Sequence, residues 1–269
     1  MTTSPNAQMF CLWFLVLPVL ICSANAQDTD QFRTKRIFGE EKSISIPDPY
    51  KESAEEFEDI ANILVREFEE ELGILYERER ISRRIVPELQ VDTIHRDGKP
   101  AIRAEYSYSV LDTLRYETDD FGLGQYLVSD SDALVTTLYL MRRGIDSHLE
   151  QYIVPGIEIS FTITGSADAV PITGVIPYDG VYGDPIVQDC LLADGVQQMV
   201  VSSQNGISDN ATLAFMRSYA VRNYIENQID KLEKSSNTFF HEAVKSPYRG
   251  GEHRRVTIEM IIYDVFEDI

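Results

Sequence analysis

The sequence predicts an α+β domain, with helices on one face of a small mixed sheet and a further helix ahead of it. Three observations carry this. Ile157, Ile159, Phe161 and Ile163 alternate with Glu158, Ser160, Thr162 and Thr164, the spacing of a half-buried strand. Val256, Ile258, Met260 and Ile262 repeat the pattern near the end of the chain, alternating with Thr257 and Glu259. Between them, residues 210 to 232 wound at about 100° per residue gather Leu213, Ala220, Val221, Tyr224 and Leu232 on one side, as a helix does.

Taken in order, the chain begins with an apolar run from Phe10 to Cys22, then Ala24-Asn25-Ala26. A short apolar core followed by Ala-x-Ala reads as a signal peptide over 1–26, although no Lys or Arg precedes the run. It is shorter than the ~20 residues of a spanning helix and is broken by Pro18. Residues 27–49 are polar and expected to be loose. Residues 50–95 form an expected helical N-terminal region, with a stripe of Phe57, Ala61, Leu64, Phe68, Leu72 and Leu75 among many glutamates. His95 to Pro100 reads as a turn and a boundary, which starts the main domain at 96–269. There the expected elements are a strand over 102–111, a helix over 130–152 opened by Ser129 to Asp132, and a strand over 157–164. The helix over 210–232 and strands near 238–244 and 255–263 follow. Between the middle strand and the second helix, roughly 170–207 is rich in Gly and Pro. It reads as a long inserted loop with one short strand, Gln198 to Ser202.

Composition excludes several functions. The balance of 24 basic against 44 acidic residues, net −20, argues against nucleic acid and against anionic lipid. Beyond the expected signal segment the only cysteine is Cys190, which leaves no internal disulfide. His95, His148, His241 and His253 are scattered, with no His-Glu-x-x-His, Cys-x-x-Cys, Gly-x-Ser-x-Gly or phosphate-binding glycine loop. No catalytic residue, metal or cofactor is expected.

One residue stands out. Arg217 falls inside the apolar side of the 210–232 helix. A guanidinium keeps its charge, so an inward position calls for an anion: an internal carboxylate or a ligand. Asp168 stands just past the end of the middle strand. Asn210 is a candidate cap for the helix, with Ser208 and Asp209 as rivals.

Three motifs in this order resemble the OmpA-like peptidoglycan-binding domain. A strand ends Gly165-Ser166-Ala167-Asp168, against Gly-x-Thr-Asp in the family. A helix carries Asn210-Ala211-Thr212-Leu213-Ala214-Phe215-Met216-Arg217-Ser218, against Asn-x-x-Leu-Ser-x-x-Arg-Ala. The last strand opens His253-Arg254-Arg255-Val256-Thr257-Ile258, against Asn-Arg-Arg-Val-x-Ile. The resemblance covers roughly 101–269 and implies a β-α-β-α-β-β sandwich in a non-catalytic protein at the periplasmic face of the cell envelope or outer membrane. It implies a ligand site in which Asp168 takes the amino group and Arg217 the carboxylate of a diaminopimelate side chain in peptidoglycan. Asn210, Arg254 and Arg255 would support that site. The chain departs from the family at Ala167, Ala214 and Ser218. It departs most in the interval from Asp168 to Asn210, which is about ten residues in the family and far longer here. The alternative is that Asp168 and Arg217 simply pair with each other. The domain would then be a degenerate scaffold in an envelope complex, contacting a protein partner through the insertion.

Overall fold

A computed structural model describes residues 51–96, 99–110 and 121–263. The expected signal segment 1–26, the segment 27–49 and the centre of the expected turn at 97–98 lie outside these residues.

Helix α1 (Lys51–Glu77) buries Ile60, Leu64, Phe68 and Leu75. It ends well before residue 95. The chain then enters a strand, β1 (Ile85–Arg96), so the expected helical region 50–95 is helical only in its first part. The signal was local: Ile85, Pro87, Leu89 and Val91 alternate with Val86, Glu88, Gln90 and Asp92. The Tyr76 hydroxyl donates to the Ile85 carbonyl at 2.5 Å and ties the end of the helix to the start of the strand. β1 pairs antiparallel along its whole length with β2 (Lys99–Val110), so the expected boundary at 96 falls inside a hairpin.

Ser131 caps helix α2 (Asp132–Gly144) by accepting from the Leu134 N–H at 2.9 Å. A π turn over Ile145–Leu149 and a 3-10 turn over Glu150–Tyr152 continue it. β3 (Glu158–Ala167) follows, with Ile159, Phe161 and Ile163 fully buried.

The insertion is not the loop expected. It holds a hairpin, β4 (Ile186–Leu192) and β5 (Gly195–Val200), where one strand at 198–202 was anticipated. Leu192 faces Gly195 across the Ala193-Asp194 connection. Gly195, at φ 123°, closes this connection, a turn signal that the surrounding Gly and Pro concealed. β4 runs parallel to the next strand, with Leu191 opposite Glu242, so the insertion lengthens the sheet.

Helix α3 (Asn210–Gln228) is shorter than the expected 210–232 and passes into a 3-10 turn at Asp230–Lys234. Its first half is buried on nearly every side, because it lies between the sheet and the insertion: Leu213 to Ser218 are all buried. β6 (Ser236–Lys245) and β7 (Val256–Tyr263) complete the described strands.

The result is α+β with one mixed seven-stranded sheet in the order β1-β2-β7-β3-β6-β4-β5. β3 and β6 are parallel, and β7 is antiparallel to both β2 and β3. In register across the centre, Ala104, Met260 and Phe161 share a face, as do Tyr106, Ile258 and Ile163. These residues pack in one core with α1, α2 and the second half of α3. The first half of α3 packs in a second core with Val187, Cys190, Met199 and Val201 of the insertion. α3 crosses β3 at Gly165 so closely that a Cβ there would stand 2.0 Å from the Ala214 carbonyl oxygen. Only glycine permits that approach. Among the described residues no helix is long and apolar enough to cross a membrane.

Candidate functional site

The end of β3, the start of α3 and the start of β7 meet at one junction, and four of the five candidate residues gather there. Asp209 caps α3: its carboxylate accepts from the Thr212 N–H at 2.8 Å. Asn210 is therefore the first helical residue and not the cap. Its side-chain amide donates instead to the carbonyls of Asp168 at 2.6 Å and Val170 at 2.9 Å. It holds the insertion's first residues against the helix.

The ion pair described at Asp168 is not the internal one expected with Arg217. Asp168 pairs with Arg254, Oδ2 to Nη2 at 3.1 Å, and accepts from the Gly250 N–H at 3.3 Å. Both side chains are 6% exposed. Arg254 is delivered by a single 3-10 turn, Gly251–His253, immediately before β7. Its Nη1 donates to the Phe121 carbonyl at 3.2 Å.

Arg217 is completely buried, as its place in the apolar stripe required. Its described partners are main-chain carbonyls: Ser166 at 2.6 Å from Nη1 and Gln125 at 3.0 Å from Nε. The guanidinium carbon lies 4.5 Å over the Phe121 ring. Carbonyl dipoles and an aromatic face both favour a buried cation.

Residues 121–130 thus act as a strap over both arginines. The strap is held by its own bonds: Gly122 N–H to the Gln125 side chain at 2.6 Å, and the Tyr126 and Leu127 N–H groups to Asp130 at 3.1 and 2.9 Å. Reasoning from the sequence missed it, because no periodic pattern runs through Phe121-Gly122-Leu123-Gly124-Gln125. The only hint was the pair of glycines.

Arg255 stands apart from the other four. Its side chain is exposed and takes no described part in the junction. Its main chain does: the N–H donates to Ser166 Oγ at 3.1 Å, and the carbonyl accepts from Ser166 N at 2.9 Å.

Ser218, where the family has Ala, has a partner of its own. Its hydroxyl donates to the Phe215 carbonyl at 2.8 Å and lies 3.0 Å from Nδ1 of His241. The hydroxyl hydrogen is thereby used, so His241 is the donor at Nδ1. Burial, and then the Arg222 charge, lower the His241 pKa to about 3. Cys190 lies buried in the second core, and burial pushes its thiol up to about 12, which removes it as a nucleophile. Among the described residues no group of His, Cys, Asp and Glu could hold a metal ion. A cleft of about 530 Å³ lies elsewhere, lined by Ile60 and Ile63 of α1 and by His148, Gln151 and Tyr152. It includes no candidate residue.

Fold and junction together define an α+β domain whose buried charges tie three elements to one strap. No protein-family model matches the chain, and neither does any curated protein.

Proposed function

We propose that this chain is a divergent OmpA-like domain in an exported envelope protein, and that it works as a contact scaffold, not as a peptidoglycan receptor. The element order β2-α2-β3-α3-β6-β7 supports the family assignment, as it is the β-α-β-α-β-β order the motifs imply. The signal-like segment at 1–26 supports export. The observation that carries the scaffold reading is the closed junction. A diaminopimelate end needs a fixed anion and a fixed cation facing one opening. Here Arg217 has no exposed surface and Asp168 already neutralises Arg254.

One observation favours wall binding as the second reading. Asp168, Asn210, Arg217 and Arg254 do converge, and the strap's Phe121 and Gln125 carbonyls stand on the arginines where a ligand carboxylate would. Sedimentation with diaminopimelate-type peptidoglycan separates the two. The scaffold stays in the supernatant. Sedimentation that disappears in a folded Asp168→Asn variant would return the site to the wall.

A further inference from the structure

Among the described residues the sheet has two edges, β1 and β5, and they differ in how they are protected. β1 carries Pro87, Glu88, Asp92 and Arg96. Proline and charge are the usual means of keeping an edge from pairing. β5 reads Gly195-Val196-Gln197-Gln198-Met199-Val200, with neither. Its Val196 and Val200 are 51% and 42% exposed, and Ile186 beside them on β4 is 55% exposed. No described main-chain bond reaches the outer edge of β5.

The free groups can be assigned. Val201 N–H donates inward, to the Pro185 carbonyl at 3.0 Å. Main-chain direction alternates along a strand, so the N–H and C=O groups of Val196, Gln198 and Val200 point outward. Those three side chains also share one face, since Val196 opposes Leu191 and Val200 opposes Ile186. It is the open face, because Val187 and Met199 turn the other way into the core.

We infer that β5 pairs antiparallel with β5 of a second copy of this chain, about a two-fold axis through Gln198. The strand's own pattern argues for this occupant. Outward along the edge the order is Val, Gln, Val, which reads the same in both directions. Setting Gln198 opposite Gln198 places Val196 opposite Val200 of the second copy, and each facing pair exchanges its outward N–H and C=O. On the open face this makes a continuous apolar row: Ile186, Val200, then Val196 and Leu191 of the second copy. Charge points the same way. Two chains of net −20 repel, so contact is least opposed at an uncharged segment such as β5. In this register Asp194 faces Ser202 of the second copy, and no carboxylates are set against each other. The inference rests on the scaffold reading only in using the insertion as a contact surface. It uses the purified chain alone, so its failure leaves any other partner of the insertion untouched.

The contact is ~20 Å long and of modest area, so the association is weak, and sedimentation of the full chain should be followed to about 100 μM. Mass should rise from monomer to dimer with concentration and more steeply at high salt, which screens the repulsion. Gln198→Lys and Gln198→Glu should each weaken association at least tenfold, since like charges then meet on the axis. An equal mixture of the two should recover it. A wild-type chain that stays monomeric at every salt concentration overturns the proposal. So do charge variants that still dimerise, or a mixture that does not recover the dimer.

Discussion

The junction at Asp168 and the hairpin edge at β5 lie in the same sheet and are built on opposite terms. At the junction charged groups are buried, and each described bond is made to the chain itself: Arg254 to Asp168, Arg217 to carbonyls, Asn210 to carbonyls. At the edge the residues are uncharged, with Val196 and Val200 half exposed, and the outer main chain of β5 is left unpaired among the described residues. The residues that resemble a known binding site are thus buried and bonded within the chain. The half-exposed apolar edge lies in the insertion, outside the three motifs that carry the resemblance. Buried charge holds elements in register, whereas open main chain and exposed apolar surface are what a partner can use.

The largest effect should come from the junction. Arg217→Ala removes the donors to Ser166 and Gln125 and leaves a void under Phe121. A loss of about 3–5 kcal/mol in denaturant unfolding is expected, as for other buried charged groups removed from their partners. A loss under about 1 kcal/mol would mean that the strap does not clamp the arginine and that the site is more open than described.

Gly165→Ala should follow. Its Cβ would collide with the Ala214 carbonyl, so α3 must shift away from β3, at a cost of about 2–3 kcal/mol. The shift would also move Arg217 on the same helix.

The third test is pH. His241 has a folded pKa of about 3, below its ordinary 6.5. Between these values the unfolded chain binds a proton that the folded chain does not, so stability rises with pH through that window. It is fully present above about 6.5 and falls as pH drops toward 3. Replacement His241→Phe should remove a component on the order of a few kcal/mol from the acid limb of the stability curve. An unchanged acid limb would show that the imidazole is reached by water.

The smallest stability effect belongs to the edge. Gln198→Lys lies on an exposed face and should change unfolding by no more than about 0.5 kcal/mol while it disrupts association. A large destabilisation would place Gln198 inside the fold and erase the contrast between the two regions.

Much of the fold was legible before any coordinates, because periodicity is a local property. The alternation at 157–164 and 256–262 became β3 and β7, and the stripe with Arg217 inside it became a buried helix carrying a buried arginine. β1 went unread because its alternation is short and is interrupted by Pro87 beside a long glutamate-rich helix. The β4–β5 hairpin went unread because Gly and Pro on both sides made one loop of it.

The sequence by itself determined that a charge would be buried at position 217, since a guanidinium cannot be neutralised and its neighbours at helical spacing are apolar. It placed Asp168 past a strand end and Asn210 near a helix start, whereas the clustering of both with Arg254 was implied only by the resemblance. The tertiary structure alone decided which acid meets which base. That choice depends on a strap dozens of residues away in the chain, and on the 3-10 turn that swings Arg254 onto Asp168. Pairing of charges is fixed by distances in space of a few ångströms, and no spacing along the chain encodes those distances.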